Sequence, residues 1–108
     1  MKKILFFFTS VTLLSLIDSQ AAVYKGQRIF TKQCVSCHAS AQELVASKTQ
    51  AEWKVIMADK GKGLIAIHEK KAPDALKYLQ SKKFARKSKH LAQFLNEYAK
   101  DSGKVPAF

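Results

Sequence analysis

Proline and cysteine each occur only twice in this 108-residue chain, glycine four times, and acidic side chains eight times. Each shortage excludes something. Two cysteines are too few to staple a disulfide-rich miniprotein and too few for a four-cysteine zinc site. The eight carboxylates are scattered, with no evident pair for acid–base work, and Ser36 beside His38 lacks a third partner for nucleophilic catalysis. No segment alternates with period two for long enough to argue a strand, and there is no repeat, low-complexity tract or Gly/Pro-rich linker. The length allows one domain at most and excludes the two-lobed site of a large enzyme. A hydrophobic content of 47% also excludes a disordered tail.

What is present begins with an export pattern. Met1-Lys2-Lys3 is a short positive start, Ile4 to Ile17 is almost wholly apolar, and Asp18-Ser19-Gln20-Ala21-Ala22 supplies small residues for a peptidase. This is the layout of a secretory signal peptide, and the apolar run is short for a spanning helix. Ser19 and Ala21 take the −3 and −1 positions if the cut follows Ala21, giving a signal over 1–21 and a domain over 22–108. The rival is an uncleaved anchor that would tether the domain. The sequence thus leads to the expectation of a periplasmic protein with no membrane span once the signal is cut.

Charge of one sign dominates. Nineteen Lys+Arg against eight Asp+Glu give +11, and the chain from residue 22 onward keeps +10. A basic domain raises the question of nucleic acid, but an exported chain rarely meets its own DNA, so no nucleic-acid partner is expected. Lys82, Lys83, Arg86, Lys87 and Lys89 crowd one short stretch with His90, and Lys60, Lys62, Lys70 and Lys71 add to them. They form either a solvated face or a docking surface for an acidic redox-partner protein. Oligomeric state is not legible.

The pattern reads as all-α. Tyr24 to Gln33 suits a helix, and residues 39–47 suit a loop with a helical turn. Thr49 with Glu52 three residues on forms a capping box before a helix carrying Trp53, Ile56 and Met57, which should stop near Gly61–Gly63. Leu64 to Lys71 is a short amphipathic segment. Ala72 precedes Pro73, so a new helix of about 74–80 should start there. Ser88 can cap a last helix in which Leu91, Phe94, Leu95 and Tyr98 recur at helical spacing, ended by Asp101-Ser102-Gly103. Ile29, Phe30, Trp53, Leu64, Ile67, Leu91, Phe94 and Leu95 are the expected core.

The informative motif is Cys34-Val35-Ser36-Cys37-His38. A C-x-x-C-H run is the attachment signature of a c-type haem. Two thiols three positions apart can each add to a haem vinyl group, and the adjacent histidine is then held beneath the iron as proximal ligand. A thioredoxin-like dithiol would need a βαβ setting that is absent. Half a zinc site would need His68 and His90, whose spacing fits no common finger. A structural disulfide would leave the trailing histidine a coincidence.

With this motif, Gly26 four residues before Phe30, a Trp53 helix followed by glycines and an aromatic terminal helix, the chain resembles the class I monohaem cytochromes c of bacteria. The resemblance implies four to five short helices around one covalent haem c, held by Cys34, Cys37 and His38, in an electron carrier rather than an enzyme. It also implies that the first and last helices cross closely at Gly26, with Gly26 and Phe30 against the Phe94–Tyr98 face. The chain departs from the family pattern in two places. No Gly-Pro follows the haem motif to fix His38, and no methionine follows Met57, so the sixth ligand is contested between His68, Met57 and His90. The alternatives are a haem protein with an open sixth position that binds NO, CO or peroxide, and a haem subunit of a larger exported redox complex.

Overall fold

The structure, a computed structural model, describes residues 20–108. The apolar run of the expected signal segment, within residues 1–19, lies outside the described residues. Helix α1 spans 20–29 and runs directly into a wider π-helical turn, Phe30–Cys34, closed by Val35 N–H donating to the Phe30 carbonyl at 3.2 Å. The short α2 (Ala41–Val45) fills the expected loop. Helix α3 covers Gln50–Lys71, a 3-10 turn Pro73–Ala75 leads into α4 (Leu76–Leu79), and α5 covers Lys82–Glu97. There is no strand among the described residues. The all-α expectation holds.

Local chemistry explains most boundaries. Thr49 accepts from Glu52 N–H while the Glu52 carboxylate accepts from Thr49 N–H at 3.0 Å, so the capping box forms as expected. Ala72 leaves the helical region (φ −152°, ψ 71°) before Pro73, which occupies the first position of its turn. The helix beginning at Gln50 ends close to the stop expected near Gly61–Gly63: it breaks at Ala58–Gly61, where Asp59, Lys60 and Gly61 are left-handed, and a second helical stretch then runs to Lys71. One expectation is corrected. Ser88 does not cap the last helix. It lies buried inside α5 with its hydroxyl on the Ala85 carbonyl, and Ser81 is the cap, accepting from Phe84 N–H at 3.1 Å. The dense lysines around Phe84 hid seven residues of helix, because their charges mask the apolar period that Phe84 begins.

The core sits where α1 crosses α5. A Cβ on Gly26 would fall on the His90 carbonyl and 2.7 Å from Phe94 Cβ, so only glycine permits this approach. The Phe30 and Phe94 rings lie 5.3 Å apart, and Phe94 meets Tyr98 at the same distance. The tail closes over this crossing. Gln27 Nε2 donates to the Ala107 carbonyl (2.6 Å), Gln42 Nε2 to that of Pro106 (3.2 Å), and Phe108 reaches the Phe30 ring at 5.9 Å. Of the expected core, Phe30, Trp53, Leu91, Phe94 and Leu95 are buried. Ile29 and Leu64 are only half-buried, and Ile67 stays 40% exposed. Met57, Val45, Leu79 and Phe84 complete the core instead.

Candidate haem site

A cavity of about 810 Å3 opens between the π-helical turn, the second half of α3, α4 and the start of α5. Its wall is mainly apolar: Ile29, Phe30, Leu44, Trp53, Ile56, Leu64, Ile67, Leu79, Phe84, Leu91 and Leu95 all contribute. This resolves the shortfall in the expected core. Ile29, Leu64 and Ile67 do point inward, but toward a space that protein atoms leave open. Pockets that enclose a small molecule or cofactor run to roughly 300–1,000 Å3, so the space suits a large flat apolar ring system.

Cys34, Cys37 and His38 share one side of that cavity. The π turn adds a residue to the end of α1, and such bulges recur at functional sites because they rotate the following side chains relative to a regular helix. Cys34 closes the turn. Its carbonyl then accepts from both Cys37 N–H (3.2 Å) and His38 N–H (2.9 Å), which coils the pentapeptide back on itself. Both cysteines are free thiols. Burial, and secondarily the neighbouring Cys37, pushes the Cys34 thiol up to about 11, so it is protonated at neutral pH. A redox dithiol instead requires a thiolate-stabilising environment. Among the described residues no three His, Cys, Asp or Glu side chains converge on a metal position, which leaves the zinc reading without a ligand set.

His68 lines the same cavity, and its ring centre lies 6.2 Å from that of His38 with the planes 79° apart. Its Nδ1–H donates to the Leu64 carbonyl one helical turn back, at 2.7 Å. The other two contestants lie elsewhere. Met57 is 5% exposed within the core, and neither it nor His90 contributes to the cavity wall. His90 sits midway along α5, half-buried, with Nδ1 enclosed and lacking a hydrogen-bond partner, and its carbonyl lies against Gly26 of α1.

Sequence reading missed the contribution of α4. Tyr78 lines the cavity close enough to Cys34 that the thiol, after burial, is the second cause raising its phenol above the ordinary range. Tyr78 also packs edge-on against Phe84 at 5.4 Å. Lys48, Lys77 and Lys83 are at the cavity as well, giving an apolar space three cations. The one available signal was Pro73, which announced a new element without saying which way it faced. Trp53 closes the wall by donating its indole N–H to the Val45 carbonyl at 2.9 Å.

The residues present therefore fit a haem: an apolar cleft open to solvent on one side, two thiols at vinyl-reaching spacing, an imidazole beside them and cations for carboxylates. No curated protein and no solved structure shows a match to the chain. The family model for cytochrome c matches residues 23–102, which takes in most of α1, the cysteine motif, the cavity and all of α5. The chain belongs to the cytochrome c family, whose members carry covalently attached haem c and pass electrons.

Proposed function

We propose that this chain is an exported one-electron carrier whose haem c is bound through Cys34 and Cys37 and ligated by His38. The observation that carries the reading is the convergence of both thiols and the imidazole on one side of a single apolar cavity. When bound, the haem supplies a reversible one-electron couple. The chain's own residues hold and insulate that couple. Phe30, Leu91 and Leu95 exclude water from the ring, while the Cys37 and His38 end of the motif is exposed and gives a short path to a partner. Lys48, Lys77 and Lys83 provide positive charge for the propionates.

Export rests on the pattern of residues 1–21, and no helix among the described residues is long and apolar enough to cross a membrane. Docking of an acidic partner rests on Lys82, Lys83, Arg86, Lys87 and Lys89, all exposed on α5. The one ion pair among the described residues joins Lys104 to Glu97, so this face is not neutralised internally. Lys83 belongs both to the face and to the cavity wall, so a partner seated on these cations lies beside the redox centre.

Expression with haem-attachment machinery tests the reading. The purified chain should carry one haem that survives acid–acetone extraction, begin near residue 22, and cycle reversibly between two oxidation states. A chain recovered without covalent haem under those conditions overturns it.

A further inference from the structure

We infer that His68 is the second axial ligand of the iron, closing the face of the haem opposite His38; this rests on attachment at Cys34 and Cys37. Two imidazoles bound on opposite sides of one metal through bonds of about 2.0 Å have ring centres roughly 6 Å apart. The His38 and His68 rings, both at the cavity, stand 6.2 Å apart. That separation leaves room for one metal atom and little more.

The orientation of His68 is also right. Its Nδ1 is committed to the Leu64 carbonyl at 2.7 Å, which leaves Nε2 as the nitrogen available to a metal. Metal-bound histidines characteristically donate their other nitrogen to such an acceptor, which fixes the ring and strengthens it as a ligand. Met57 has no comparable access. It is packed in the core with its methyl group 3.8 Å from where a Gly61 Cβ would stand, and using its sulfur would empty that position.

The kink at Ala58–Gly61 is what places His68. A straight helix over the 22 residues Gln50–Lys71 would extend about 33 Å. Instead Asp59, Lys60 and Gly61 turn left-handed, at φ 52°, 57° and 78°, and the second half of α3 lies along the cavity. Such conformations cost side-chain-bearing residues free energy and tend to gather at functional sites. Here the kink carries Leu64, Ile67 and His68 to the cavity that the cysteine motif also lines. An iron with two imidazoles has no free position for a diatomic gas, and it has a lower potential than one with a thioether.

The experiment uses the haem-loaded protein, with covalent haem first verified by mass, so that failed attachment is scored against the function and not against this ligand. Wild-type protein should be low-spin in both oxidation states, inert to CO, and without the far-red charge-transfer band of a thioether–iron(III) bond. His68→Ala should turn the iron high-spin and CO-reactive, with added imidazole restoring the low-spin spectrum. His68→Met should introduce the thioether band and raise the potential, while Met57→Leu should leave the spectrum unchanged. A thioether band in the wild type that Met57→Leu abolishes, or a His68→Ala protein that stays low-spin and CO-inert, overturns the assignment.

Discussion

The backbone carbonyl of His90 occupies the space where a side chain on Gly26 would begin. That contact fixes how α1 and α5 cross, and it sets the Phe30 and Phe94 rings 5.3 Å apart beside it. Because the obstacle is backbone, it cannot move aside as a flexible side chain would. Gly26→Ala is expected to cost about 2–3 kcal/mol, at the upper end for overpacking. For a domain of this size that lowers the melting temperature of the haem-loaded protein by about 10 °C or more. An unchanged melting curve would show that the helices do not cross at this point.

The capping box gives a pH prediction. Hydrogen bonds from Thr49, backbone first and hydroxyl second, hold the exposed Glu52 carboxyl below its ordinary value near 4.5. A carboxyl depressed in the folded state adds stability above its unfolded pKa and loses that contribution as pH falls through the folded one. Glu52→Gln keeps an acceptor at the same reach but does not titrate. Its stability should therefore be flatter than wild type on acidification below about pH 4.5 in equilibrium denaturation. Thr49→Ala should cost about 1 kcal/mol at neutral pH. Parallel acid profiles for wild type and Glu52→Gln would refute the link.

Without its prosthetic group the fold should fail. The apolar wall of the roughly 810 Å3 cavity would then be left facing water, and domains stable by only roughly 5–15 kcal/mol have little margin for that. A haem-free Cys34→Ala/Cys37→Ala chain is expected to lose most of its helical circular dichroism and all cooperative melting. Native-like helicity in that double variant would mean that the core under Phe94 suffices alone.

Charge on α5 predicts the kinetics of encounter. The rate of electron exchange with ferricyanide, an anionic probe, should fall about tenfold between roughly 10 mM and 150 mM salt, as the screening length drops from about 30 to 8 Å. Reversing Lys82, Lys83 and Lys87 to Glu should flatten the dependence while leaving the spectrum unchanged. A flat wild-type profile would reduce these cations to a solvated face.

Much of this was legible in the sequence because the signals were local. The C-x-x-C-H pentapeptide named the cofactor, Thr49 and Glu52 gave a helix start, and Gly26 implied a close crossing. The failures were tertiary. Gly61 and Gly63 announced the helix break that falls at Ala58–Gly61, but not the left-handed turn at Asp59 and Lys60 that redirects the helical stretch after it. Ser81 was overlooked as a cap because cations separate it from the next apolar run. Ile67 reads as core and is 40% exposed, because it lines the open cavity and does not pack into the helix crossing.

The π-helical turn at Phe30–Cys34 makes the spacing between α1 and the cysteine motif a quantity that cannot be changed by one. Deleting one residue between Gly26 and Phe30 would swing the whole turn, Phe30 and Cys34 included, about 100° around the helix axis relative to the crossing at Gly26. Substitutions in this stretch can be absorbed one side chain at a time, whereas insertions and deletions shift the frame in which the thiols, the imidazole and the aromatic crossing are all measured.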